Sequence, residues 1–217
     1  MFISICFAVL FALMYIRRKM YGIKKLLVIP LAVLVSLMGL LGTRIMFYIE
    51  NGAWYGRSFF GAVLFFPILL LPLAWIFRIS LINLLSYATV PGMALLAVYK
   101  YNCYRMRCCS GKVLWFSPEG VPVHFPSQIV ELCVATIIVA LLLVLERKEN
   151  YRRRIYPICL VIYGAARFIL NYFRWEQPKY IWGLTPGAFW ALVSVFIGIT
   201  WLIISQQYKN IKTRDIG

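Results

Sequence analysis

Long apolar blocks, repeated along the chain and separated by short polar stretches, constrain this sequence more than any motif in it. A helix crosses about 30 Å of hydrocarbon with roughly 17–25 mostly apolar residues. Seven blocks fall in or near that range: Phe2–Ile16, Ile23–Gly42, Phe59–Phe77, Ile79–Val98, Gln128–Leu145, Ile155–Phe173 and Pro186–Ser205. With 63% of 217 residues hydrophobic and only 14% charged, no soluble core accommodates them. The same arithmetic excludes a disordered chain, a coiled coil and a disulfide-stapled secreted domain. The expected fold is an all-α polytopic membrane protein of about seven transmembrane helices, a single transmembrane domain over residues 1–217. The first block is the shortest, and its basic residues follow the apolar stretch, which is not the order of an ordinary signal peptide. Pro67, Pro72 and Pro91 interrupt the third and fourth blocks, where neighbouring helices or water must satisfy the freed carbonyls.

Basic residues set the expected orientation. Arg17, Arg18, Lys19, Lys24 and Lys25 follow the first block; Arg147, Lys148, Arg152, Arg153 and Arg154 follow the fifth; Lys209, Lys212 and Arg214 end the chain. All fall on one side if the N-terminus is outside and the C-terminus is cytoplasmic, as seven crossings require. The formal charge of +16 then points to anionic phospholipid and the bilayer, not nucleic acid, as the partner. Against this trend, Arg44, Arg57, Lys100, Arg105, Arg107, Lys112, Arg174 and Lys179 fall on the outer side. Two readings stand: headgroup snorkelling, or an outward site in which Arg forks bind a lipid phosphate.

Four polar constellations carry the chemistry. Tyr163, Arg167, Asn171 and Arg174 recur at intervals of four, four and three, on one helical face. An unpaired Arg167 that deep costs at least about 2.5 kcal/mol, so it should face the interior or a watery cavity with a partner. Glu131 is the acidic residue the blocks place within a span. A Glu131–Arg167 tie between helices and a cationic face for phosphate are compatible readings. The stretch Tyr99–Lys112, expected as a loop, concentrates Lys100, Arg105, Arg107 and Lys112 with Cys103, Cys108 and Cys109. Those cysteines lack the spacing of a strong zinc site, so no metal or cofactor is expected; a disulfide or an Arg-activated thiolate both remain open. Cys6, Cys133 and Cys159 are expected to pack as small hydrophobes. Ser58 and Gly61 open the third block, where glycine admits either a ligand or a packed helix. Finally, Val121–Gln128 leads into the fifth block through His124 and two prolines, with Ser127 as the expected N-cap.

Taken in order, these pieces resemble the phosphatidylglycerol–prolipoprotein diacylglyceryl transferase family over about residues 55–205. Pro126-Ser127-Gln128-Ile129-Val130-Glu131 is similar to its Pro-Ser-Gln-x-x-Glu motif, and Tyr163-Gly164-Ala165-Ala166-Arg167-Phe168 with Arg174 to its Tyr-Gly-x-x-Arg-Phe…Arg helix. Ser58–Ala62, Asn102–Gly111 and Gly187-Ala188 resemble three further family segments. Phe60 stands where the family has His, Lys100 where it has Arg, Cys103 where it often has Asn, and Asn171 where it has Glu.

The resemblance implies a multi-pass protein of a bacterial cell membrane. It implies transfer of a diacylglyceryl group from phosphatidylglycerol to the cysteine thiol of a prolipoprotein, whose signal peptide is a partner. With Phe60 in place of the imidazole, the candidate catalytic residues are Arg167 as a cation for the departing phosphate and Tyr163, Glu131 or His124 as the base. Lys100, Arg105, Arg107, Arg174, Gln128, Asn171, Ser58 and Gly61 are the implied substrate-binding set. Two alternatives are a non-catalytic phospholipid-binding or membrane-assembly protein on the same scaffold, and a transferase using Cys103, Cys108 or Cys109 as nucleophile.

Overall fold

In a computed structural model, residues 2–56, 58–108, 111–174 and 181–214 are described. Arg57, Cys109 and Lys179, singled out above, lie outside them. The helices are α1 (Phe2–Arg17), α2 (Val28–Asn51), α3 (Phe59–Leu64), α4 (Phe66–Ile76), α5 (Leu81–Arg105), α6 (Ser127–Glu146), α7 (Glu149–Arg152), α8 (Ile155–Asn171) and α9 (Pro186–Arg214). Among the described residues five spans are long and apolar enough to cross a membrane, counting Phe59–Ile76 as one; α1 and α8 are apolar but shorter. At 16 and 17 residues, the two short helices reach about 24–26 Å at 1.5 Å per residue, just under the hydrocarbon thickness. The chain is a multi-pass membrane protein by these measures.

An all-helical reading needs one addition. Between α5 and α6 stand two antiparallel strands, β1 (Val113–Phe116) and β2 (Pro122–His124). Aromatic and branched residues favour extended backbone in Val113–Phe116. The reversal follows from Pro118 and from Gly120 at φ +77°, with Gly120 N–H donating to the Ser117 carbonyl at 2.8 Å. Three further boundaries move, and one side chain changes its surroundings. The expected loop from Tyr99 begins as helix, because no Gly or Pro falls between Tyr99 and Arg105. Arg44 lies on α2, which continues nine residues past Gly42. Ser127 is the first residue of α6, after Pro126, and does not precede it as a cap. Cys133, expected to pack inside, is exposed on α6.

Pro67 and Pro91 act as expected, and the carbonyls they orphan have identifiable partners. Pro67 lacks the N–H that would bond Val63 one turn earlier, and α3 gives way to α4 there. Tyr156 on α8 donates its hydroxyl to that Val63 carbonyl at 2.7 Å. Pro91 likewise deprives Tyr87 of its partner, and Arg17 Nη1 donates to the Tyr87 carbonyl at 2.7 Å. Tyr156→Phe should therefore destabilise the protein by about 1–3 kcal/mol, read as a lower melting temperature in detergent. Unchanged melting would contradict this assignment.

Helices α8 and α9 pack backbone to backbone. A Cβ on Gly164 would sit 2.8 Å from the Ala191 carbonyl oxygen, and one on Gly198 would sit 2.7 Å from Val161 Cγ2. Small residues thus bring α9 against one side of α8. The Tyr163–Arg167 face is left to meet α5 and α6.

Candidate functional site

Burial on α6 recurs at Gln128, Glu131, Ala135, Ile138 and Leu142, the spacing of a single helical face. That face meets α5 at Lys100 and α8 at Arg167. Glu131 receives a salt bridge from Lys100, another from Arg167 Nη1 at 2.5 Å, and a longer one from Arg174 Nε at 3.9 Å. Glu131 is 7% exposed and Arg167 is 9% exposed. Three cations from two different regions of chain thus converge on one buried carboxylate. Three like charges so close stay together only around an anion.

The hairpin closes over this end of the bundle. Gly111 forms an isolated antiparallel bridge with Arg174, next to a Lys112 N–H bond to the Phe173 carbonyl at 3.0 Å. A Cβ on Gly111 would lie 2.7 Å from the carbonyl oxygens of both Phe125 and Phe173, so only glycine threads between them. The Phe125 and Phe173 rings stack at 5.0 Å. His124 Nδ1 lies 3.0 Å from the Gly111 carbonyl oxygen. A carbonyl only accepts, so Nδ1 carries the proton and Nε2 is the basic nitrogen of the neutral ring. Gln128 Nε2 donates to the Cys108 carbonyl at 2.5 Å, pinning the end of α5 to the start of α6.

Other expected residues go elsewhere. Tyr163 is buried one turn below Arg167, with its ring against Phe59 at 5.2 Å and Phe60 at 5.8 Å. Asn171 Nδ2 donates to Thr185 Oγ1 at 2.5 Å, and that oxygen also accepts the Ala188 N–H at 3.3 Å, so Thr185 caps α9 and Asn171 ties α8 to it. Ser58 turns to Glu50, donating at 3.1 Å. Gly61 packs on α2: a Cβ there would be 2.0 Å from the Gly42 oxygen, the helix-packing alternative. Arg105 and Arg107 are exposed. Cys103 and Cys108 are not joined in a disulfide. Among the described residues no group of three or more His, Cys, Asp or Glu is placed to hold a metal ion.

Arg167 faces the interior with a partner, as its depth requires. Two clefts in the described residues have neither Arg167 nor Glu131 on their walls. The larger, about 360 Å³, lies between Phe2, Ile5, Ala97, Arg105, Leu132 and Thr136.

A second buried ion pair was missed. At the opposite end of the bundle Arg17 and Glu146 are 3% and 1% exposed and meet at 2.5 Å. Hydropathy placed Arg17 in a loop and ended the fifth block at Leu145. The available signal was helical phase: Glu146 continues the buried face one turn beyond Leu142, and Tyr21 follows Arg17 by one turn.

A family model described as prolipoprotein diacylglyceryl transferase matches residues 1–204. A phosphatidylglycerol–prolipoprotein diacylglyceryl transferase of Clostridium tetani (strain Massachusetts / E88) is 27% identical over 122 residues, which is 51% of this chain and 49% of that relative. The match thus spans about half the length of the curated relative.

Proposed function

The chain belongs to the prolipoprotein diacylglyceryl transferase family, and from that premise we propose that it binds phosphatidylglycerol and transfers its diacylglyceryl group to a precursor's cysteine thiol. The observation that carries this reading is the convergence of Lys100, Arg167 and Arg174 on Glu131. In the proposed orientation, with the N-terminus outside, that cluster lies toward the outer leaflet, where the lipid and the translocated precursor meet.

The reaction forms a bond from sulfur to the glyceryl carbon and breaks that carbon's bond to the phosphate oxygen. Glycerol phosphate leaves carrying the electron pair, and the thiol proton must go to a base. Fixed cations lower this barrier because negative charge on the departing phosphate grows toward the transition state. Arg167 and Arg174 supply forked donors and Lys100 a point charge. Glu131 holds them in register, its oxygens already committed to cations. Phe60 occupies the position of the family's imidazole, so the proton acceptor must come from elsewhere. His124 Nε2 is the candidate: Gly111 fixes its tautomer, and Gly111 is itself paired to Arg174. Exposed Arg105 and Arg107 are suited to recruit anionic headgroups. Gln128 and Asn171 position the backbone around the cluster, and Tyr163 supports Arg167 from below.

A specific observation favours a second reading, a phospholipid-binding protein without transfer. Phe60 is 4% exposed and packed on Tyr163, so no acid or base acts at that position. Purified protein with glyceryl-labelled phosphatidylglycerol and a lipobox peptide separates the two. Transfer predicts label on the peptide, falling by about 10²–10⁴ in His124→Gln with lipid still co-purifying. Label confined to lipid in the wild type would leave only the second reading.

A further inference from the structure

The β1–β2 hairpin presents apolar side chains on both faces. Leu114 is 48% exposed, Trp115 59%, Phe116 67% and, across the turn, Val121 56%. Phe116 pairs with Pro122 and Trp115 with Val123, so these two side chains project from opposite faces, while Leu114 sits unpaired at a bulge between Val113 and Trp115. A two-stranded ribbon is marginal in water, and edge strands in water are normally guarded by charge. From Val113 to Val123 the sole charged residue is Glu119, in the turn. Something apolar must cover this ribbon.

Its place in the fold selects the cover. β2 ends at His124 and the membrane-spanning α6 begins at Ser127, so the hairpin cannot rise far from the end of that helix. Exposed aromatic residues continue the patch around the same end of the bundle: Tyr101 and Tyr104 on α5, and Tyr172 just past α8 at 74% exposure. Tyr and Trp gather where headgroups meet acyl chains. Lys112 at the foot of β1 lies 4.9 Å over the Tyr172 ring, with its charge at the same level.

We infer that the hairpin lies in the interfacial layer of the bilayer, with Leu114, Trp115, Phe116 and Val121 among lipid headgroups and upper acyl chains. The lipid surface is thereby a partner that presses Gly111 and His124 onto Arg174. Nothing in this depends on group transfer, and its test leaves the transfer proposal untouched if it fails.

Tryptophan emission tests it. The chain has seven tryptophans, so the Trp115 component is taken as the wild type minus Trp115→Phe, a conservative change at an exposed site. Measurements use the full chain in vesicles of phosphatidylcholine and phosphatidylglycerol, with bromine on the upper acyl carbons. The expected component is blue-shifted, quenched at least about twofold by the brominated lipid, and protected from aqueous iodide. Val121→Trp adds a component that should behave alike. Strong iodide quenching without lipid quenching would place the hairpin in water and overturn the inference. Protection from both quenchers would mean that protein covers it, a second copy or a bound precursor, and would overturn it equally.

Discussion

Arg17→Ala should destabilise the protein by about 3–5 kcal/mol, one of the two largest effects expected in the chain. Arg17 is buried where α1 meets α5 and α6. Its Nε and Nη2 donate to the two Glu146 oxygens at 2.7 and 2.5 Å, and its remaining donors reach the carbonyls of Tyr87 at 2.7 Å and Ser86 at 3.2 Å. Tyr21 donates to Glu146 at 3.1 Å, and burial holds its phenol above the ordinary range, so it stays a donor. Removing the guanidinium leaves a buried carboxylate with one neutral donor and strands the carbonyl that Pro91 already deprived of a partner. Glu146→Gln should cost a comparable amount by stranding the cation. Replacing both, Arg17→Met with Glu146→Leu, should recover most of the loss, because two partners leave together. Melting of the four proteins in detergent makes the comparison. Single variants within about 1 kcal/mol of the wild type would contradict it.

Arg167→Ala should lower diacylglyceryl transfer by about 10²–10³, the scale for losing one preorganised donor to developing charge. Arg167→Lys should not restore it, since an ammonium cannot present the planar fork. The same substitutions should release co-purified phosphatidylglycerol, whereas Arg153→Ala, exposed at the opposite end, should not. Melting of each variant separates lost chemistry from lost fold. Full transfer by a folded Arg167→Ala protein would remove the cluster from the mechanism.

How legible each part was depends on which physical signal the residue carries. Tyr163, Arg167 and Arg174 were readable because helical periodicity and the cost of a buried charge act on the same few positions. That argument also pointed to Glu131, and the two meet at 2.5 Å. Lys100 was recognised as a cation but assigned to a loop, since hydropathy falls at Tyr99 while helical backbone continues to Arg105. The Arg17–Glu146 pair escaped for a related reason: both stand at block edges, where a charged residue reads as solvated. Ser58 and Gly61 could not be assigned from sequence because their partners, Glu50 and Gly42, lie on another helix. The hairpin was invisible because Val113–Phe116 is a short apolar run without alternation, and only its pairing across Gly120 makes it a strand.

The central claim is that a lipid phosphate docks among Lys100, Arg167 and Arg174. Phosphorus NMR of the full chain in nanodiscs containing phosphatidylglycerol addresses it most directly. A phosphorus resonance displaced from the bulk lipid signal, saturating near one per protein and absent in Arg167→Ala, is the predicted result. A spectrum with the bulk signal alone in the wild type, or a displaced signal that survives in Arg167→Ala, would contradict it.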